Sequence, residues 1–272
     1  MKILILQNRM GIGDMIMFLP FIEAISKKFK TPVTILAKKN TKVEMYFNNK
    51  EIVEEIMYLE RENNKKHSGV KGFFKLVNEL KLKKFDKVFI FNSSLRYFLI
   101  SKFSGIKEVF HYPLFKKKNQ QIIEAAKEFT LKSIGEDIES TPRLFLKEQD
   151  ILKAKKDHSI DQSITNIILG IGGSGKTKRV PASIFKSFMS KVLKRSNCRF
   201  FLMTGNNNDE LKIMDEIIES EYKEYCTPLN NFTIKEILPI IPNCQIAICN
   251  DSSFSHLSAC LLYTSPSPRD DR

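Results

Sequence analysis

The sequence lacks any apolar run approaching the ~20 residues that a membrane-spanning helix needs, which argues against a helical membrane span. Its N-terminus, MKILILQNRMGIGD, holds an apolar stretch too short for a secretory signal and interrupted by Asn8 and Arg9, so the expected location is cytoplasmic. Cysteine is sparse. The five residues (Cys198, Cys226, Cys244, Cys249 and Cys260) fall in the second half with no metal-ligand pairing, and reduced, buried thiols are expected. No repeat interleaves aromatic and basic residues, which argues against nucleic acid as a partner. Acidic residues are in deficit, 31 against 44 Lys and Arg, for a net charge of +13. An excess of that sign suits an anionic partner, either a phosphorylated substrate or a membrane surface. Lys-, Asn- and Ile-rich composition of this kind also arises from AT-rich coding. The basic clusters KKNTK, NNKKHSGVKGFFK and LFKKKNQQ nevertheless all lie in the first half, which points to a basic surface on one domain.

What is present is enough apolar content, 42 %, for a packed core, in 272 residues that fit one large or two modest domains. Short apolar runs read as buried parallel strands: KILIL, VTILAK, DKVFIFN and EVFHY, then TNIILGIG, CRFFLMTG and CQIAICND. Between them lie helical patterns. MIMFLPFIEAISKKF places Phe18, Phe21, Ile22, Ile25 and Phe29 on one face, with Asp14 positioned as its cap. FFKLVNELKLKKF, YFLISKFSG, QQIIEAAKEFTLKSIG, SIFKSFMSKVLKRS and DELKIMDEIIES follow, then a helical turn at IKEILPII and a helix start at SSFSHLSA. Strand–helix alternation predicts an α/β protein with parallel sheets covered on both faces. The polar stretch KEQDILKAKKDHSIDQS marks a junction. The expectation is two Rossmann-like doubly wound domains facing a cleft, residues 1–155 and 156–259. Ligands of such folds sit at the C-terminal ends of the strands.

Three motifs lie at those ends. GIGD places Asp14 after the first strand, where a carboxylate can take a proton from a hydroxyl nucleophile; it also fits a plain capping aspartate. GIGGSGKT, residues 170–177, matches G-x-x-x-x-G-K-[ST], the phosphate loop of nucleotide hydrolases. Pro181 follows four residues after Thr177. Proline breaks a helix interior but suits its first position, so the helix is expected to start there, leaving a longer loop. Gly172, Gly173 and Ser174 then form a diphosphate cradle, and Lys178 and Arg179 become its cations. The third motif, CNDSSFSHL, places Asp251, Ser252 and Ser253 at a helix start, an anion site by its N–H groups and hydroxyls, with His256 one turn on. It equally fits a capping box with a partly buried histidine. After CRFFLMTG, Glu210 or Asp209 of NNNDE could meet a ribose hydroxyl or simply open a surface helix.

In this order the pieces resemble glycosyltransferase family 9, the lipopolysaccharide heptosyltransferase-like enzymes. The family's G-D corresponds to Gly13-Asp14, its K-R-W-P to Lys178, Arg179, Val180 and Pro181, and its D-T-G-x-x-H to Asp251 through His256; Val180 stands for Trp and Ser253 for Gly. The resemblance implies the GT-B arrangement and an inverting, metal-independent transfer from a nucleotide-sugar, ADP-heptose by family default, with no cofactor. It implies a lipid-linked glycan acceptor, the lipopolysaccharide inner core, and peripheral contact with the inner face of the cytoplasmic membrane. Asp14 becomes the general base. Lys178 neutralises the leaving diphosphate, Asp251, Ser252, Ser253 and His256 hold the donor, and Glu210 contacts its ribose. A phosphate-loop NTPase and a non-catalytic nucleotide-sugar-binding relative stand as alternatives. The final CLLYTSPSPRDDR differs abruptly in composition, and residues 260–270 resemble an in-frame transposase sequencing adapter. The expectation is a native sequence to about Ala259, an incomplete second domain, and a non-native tail over 260–272.

Overall fold

The computed structural model describes residues 1–9, 11–47, 49–114, 120–173 and 175–262. Ser174, residues 115–119 of the third basic cluster and residues 263–272 of the expected tail lie outside these; Cys260 and Leu261 close the last helix.

The first unit, Met1–Pro142, is built on five strands. Its elements are β1 (Ile3–Leu6), α1 (Ile12–Phe29), β2 (Val33–Ala37), β3 (Val53–Tyr58), α2 (Gly69–Lys83), β4 (Lys87–Ile90), α3 (Leu95–Phe103), β5 (Glu108–His111) and α4 (Ile122–Ile134). All pairings are parallel, in the order β3-β2-β1-β4-β5. Every residue of β1 is buried, as a central strand covered on both faces must be. Leu4, Leu6, Val88 and Ile90 point to one face and pack on Leu76 and Leu80 of α2 and Tyr97 and Ile100 of α3. The opposite face is aromatic. Phe18 of α1 meets Phe91 edge-on at 5.2 Å, Phe91 meets Phe129 of α4 at 5.1 Å, and Phe89 stacks on Phe110 at 4.7 Å. α1 runs through Pro20, which lacks one backbone donor, and α4 ends at the left-handed Gly135 that the sequence marks.

The second unit begins at Arg143. It comprises α5 (Glu148–Asp157), β6 (Thr165–Gly170), α6 (Ala182–Leu193), β7 (Cys198–Met203), α7 (Asn208–Ile218), β8 (Cys226–Pro228), α8 (Ile234–Ile237), β9 (Ile246–Cys249) and α9 (Ser253–Leu261). Its sheet is also all parallel, in the order β8-β7-β6-β9, the same winding as β3-β2-β1-β4. Ile167 and Leu169 of β6 and Phe200 and Leu202 of β7 pack on Phe185 and Met189 of α6 and Met214 and Ile217 of α7. The polar stretch expected as the junction is instead α5, inside this unit. Its buried Ala154 and the bond from Asn243 Nδ2 to the Ile151 carbonyl, 3.1 Å, tie it to the 3-10 turn Leu238–Asn243. The chain therefore forms two Rossmann-like α/β units, each with a strand-order reversal, at β1/β4 and at β6/β9.

Candidate active site

In the first unit, the motif NRMGIGD lies at the reversal. There Asn92, following β4, donates from Nδ2 to Asn8 Oδ1, 3.2 Å, and so ties together the ends of β1 and β4. The helix cap is Gly11, not Asp14. Gly11 has φ +107°, a backbone region that L side chains rarely adopt, and so turns the chain from strand into helix. Asp14 sits three residues further on, in the first turn of an 18-residue helix. The helix macrodipole favours a carboxylate there. Asp14 is partly buried, and its Oδ2 lies over Gly11, 3.7 Å from where a Cβ would stand. The fold thus holds one carboxylate at the place where the ligands of such sheets bind.

In the second unit, residues 171–181 join β6 to α6. Lys176, Thr177 and Lys178 form an exposed 3-10 turn, and α6 starts only at Ala182, with Pro181 as its cap, one position before the expected one. The backbone of GKT therefore does not open the helix, as a phosphate loop of nucleotide hydrolases would. The loop is anchored by the first turn of α7. Glu210 is buried, 8 % exposed. Its Oε1 accepts from Gly173 N–H at 3.1 Å, and its Oε2 accepts from Gly205 N–H at 2.8 Å and from the Thr204 hydroxyl at 3.3 Å. Arg179, whose side chain is 9 % exposed, pairs with Asp209 at 2.9 Å. A Cβ on Gly172 would stand 2.9 Å from Glu210 Oε2, and one on Gly173 would stand 2.8 Å from the Lys178 carbonyl, so both glycines are packing requirements of this loop.

The remaining predicted residues gather at the β6/β9 reversal. Asn250, buried, donates from its backbone N–H to the Gly170 carbonyl and from Nδ2 to the Ile171 carbonyl, both at 2.8 Å, and so joins the ends of β6 and β9. Next to it, Lys178 Nζ lies 3.0 Å from Asp251 Oδ2, both half-exposed. Ser252 caps α9 by accepting from Phe254 N–H at 3.3 Å, and Ser253 and His256 lie on its first turns, partly buried. The structure therefore brings together Lys178, Asp251, Ser252 and Ser253, with His256 one turn on. It gives Arg179, Asp209 and Glu210 loop-holding contacts. Asn250 and Thr204 escaped the sequence reading. For Asn250 the signal was available, as a polar residue directly after the apolar run QIAIC.

A family model for glycosyltransferase family 9 (heptosyltransferase) matches residues 111–263, more than half of the chain. The chain belongs to that family. A search of curated protein sequences returned no match. Among solved structures, E. coli ADP-heptose LPS heptosyltransferase II is 18% identical and superposes with a TM-score of 0.71 over 96% of this chain and 82% of its own. The glycosyl transferase family 9 from Veillonella parvula DSM 2008 gives 17% identity and 0.71 over 96% and 78%. E. coli heptosyltransferase WaaC with ADP-2-deoxy-2-fluoro heptose gives 14% and 0.64 over 99% and 91%. At these identities the similarity establishes the fold, that of GT-B glycosyltransferases.

For this family 9 chain the Glu210 contacts make a direct prediction. Glu210→Ala deprives the Gly173 and Gly205 N–H groups of their acceptor, while the Thr204 hydroxyl keeps the Gly205 carbonyl at 3.2 Å, and each buried orphan costs about 1–3 kcal/mol. Urea unfolding should show a loss of about 2–4 kcal/mol, with Glu210→Gln between the variant and the parent. An unchanged midpoint for Glu210→Ala would show that the carboxylate does not hold the loop.

Proposed function

We propose that the protein transfers a sugar, heptose from ADP-heptose, to a hydroxyl of a lipid-linked glycan such as the lipopolysaccharide inner core. The observation that carries this reading is the Lys178–Asp251 pair at 3.0 Å, beside the Ser252-capped start of α9 at the β6/β9 reversal. A cation and hydroxyls beside a helix start suit the charge that a departing nucleoside diphosphate develops. The ion pair is half-exposed, and such pairs contribute only about 0–1 kcal/mol. A diphosphate can therefore take Lys178 over from Asp251 at small cost.

In the reaction the acceptor hydroxyl attacks the anomeric carbon. Its proton passes to the Asp14 carboxylate. The bond from the anomeric carbon to the diphosphate oxygen breaks, and the nucleoside diphosphate departs with its new charge met by Lys178 and the start of α9. A single displacement of this kind inverts the anomeric centre. A lysine and a helix N-terminus supply the stabilisation that a divalent cation supplies elsewhere, so the transfer is metal-independent. The work is done at the inner face of the cytoplasmic membrane, where a lipid-linked acceptor lies and where the chain's net charge of +13 favours an anionic surface.

The test is release of ADP from ADP-heptose in the presence and absence of a de-acylated inner-core acceptor. Acceptor-dependent release is expected, with the same rate in EDTA and with Lys176→Ala close to the parent. Magnesium-dependent phosphate release from ATP, abolished by Lys176→Ala, would instead favour a nucleotide hydrolase.

A further inference from the structure

We propose that the α2–α3 face of the first unit is the surface that docks this protein on an anionic phospholipid bilayer. The inference deepens the membrane part of the proposed function and takes from it only the identity of the lipid-linked acceptor.

α2 and α3 share one face of the sheet and bury Leu76, Leu80, Tyr97 and Ile100 inward. Their outward faces are not polar. On α2, Val70, Phe74 and Leu82 follow one stripe at helical spacing and are 73 %, 57 % and 82 % exposed. On α3, Leu95 and Phe103 lie on a second stripe, with Phe103 61 % exposed. The two stripes meet through Phe73, whose ring contacts Phe74 at 5.2 Å and Phe103 at 6.0 Å. Phe73, Phe74 and Phe103 thus join into one apolar patch on which the two stripes converge, and patches of that kind mark interaction surfaces.

Its charge selects the partner. α2 carries Lys71, Lys75, Lys81 and Lys83, and α3 carries Arg96 and Lys102. The single acid of the two helices, Glu79, is paired with Lys66 at 2.8 Å and His67 at 3.2 Å. Lys71 and Lys75 lie one position after Val70 and Phe74 and flank the aromatic stripe, and Lys102 lies beside Phe103; all three are exposed. Exposed phenylalanines bordered by lysines suit the boundary between acyl chains and anionic headgroups. The rings enter the interface, and the long side chains reach the phosphates. Arg96 braces the patch from within. Its guanidinium lies 5.4 Å from the Phe73 ring centroid and donates to the carbonyls of His67 and Gly69 at 3.0 and 2.9 Å. Both helices follow strands of the first sheet and begin at the C-terminal ends of those strands, the end at which α1 carries Asp14 in its first turn.

The experiment is sedimentation of the full chain with vesicles of phosphatidylcholine alone and of phosphatidylcholine mixed with phosphatidylglycerol, without donor or acceptor. Failure of the transfer reaction therefore leaves the result unaffected. Binding is expected only to the mixed vesicles and should fall with added salt. Lys71→Glu with Lys75→Glu should weaken it by about tenfold or more, and Phe74→Ser with Phe103→Ser by a similar factor. Ile184→Ser, an exposed apolar residue of α6, serves as the control and should bind as the parent does. All substituted side chains are exposed, so thermal unfolding should confirm folded variants. Parent-like vesicle binding by both double variants would overturn the proposal. So would a dimer in sedimentation velocity that Phe74→Ser with Phe103→Ser dissolves, together with no vesicle binding, since the face would then seat a second copy of the chain.

Discussion

Asp14→Asn is expected to lower kcat for sugar transfer by about 10²–10⁴-fold, the usual contribution of a positioned general base. Donor affinity should stay within about twofold, because nothing in the donor reading of the second unit uses Asp14. The substitution keeps the size of the side chain and removes its negative charge and with it the capacity to accept a proton. It also keeps the cap, since the backbone turn is made by Gly11 and not by Asp14. A fall in activity can therefore be read as lost proton transfer. The loss of a first-turn carboxylate should cost stability by no more than about 0.3–1 kcal/mol. The measurement is a single-turnover transfer assay beside donor binding by calorimetry. If Asp14→Asn transfers sugar at the parent rate, the base lies elsewhere. If parent and variant both bind donor and neither releases ADP with any acceptor, the chain is a binding protein with a transferase fold.

Lys178→Ala is expected to weaken donor binding and transfer together, with kcat down by about 10²–10³-fold, as for removal of one preorganised group from a developing anion. The geometry adds a second effect. Lys178 sits 3.0 Å from Asp251, so its removal leaves a carboxylate next to the diphosphate without that counter-charge. The variant should therefore bind donor worse than loss of one contact alone explains, and Lys178→Ala with Asp251→Asn should regain part of the affinity. That non-additive recovery is specific to a charge pair shared with the ligand. Stability should hardly change, because a half-exposed pair contributes about 0–1 kcal/mol. Donor affinity unchanged in Lys178→Ala would remove Lys178 from the diphosphate site.

The sequence announced most of the fold. Apolar runs such as KILIL and TNIIL have no alternation to confuse them with half-exposed strands, and both became buried central strands, whereas EVFHY and CQIAIC became edge strands, with Ile246 and Ile248 of β9 44 % and 37 % exposed. Three elements were hidden. β3, Val53–Tyr58, carries Glu54 and Glu55 and so forms no apolar run. β8 has three residues, Cys226–Pro228, ends in proline, and lies at the sheet edge, where pairing on one side suffices. α5 has the charge of a linker and buries only Ala154, so its attachment to the second unit comes from a tertiary bond by Asn243 that no local pattern contains. The same limit applies to the site. Spacing and turn residues placed Asp14, Lys178, Asp251 and Ser252 at strand ends. What Arg179 and Glu210 hold depends on a loop and a helix about 30 residues apart meeting in space, which periodicity does not encode.

Both sheets are wholly parallel, and this has a kinetic consequence. Among the described residues no neighbouring strands are joined by a hairpin, so each pairing must wait for the chain to close a crossover. β1, at the centre of the first sheet, reaches its partner β4 only after two other strands and two helices have been made, and β6 waits in the same way for β9. Folding of each unit should be slow relative to a helical or hairpin-rich protein of similar size. During that interval the uncovered strands ILIL and IILG are the segments through which two unfinished chains would stick to one another.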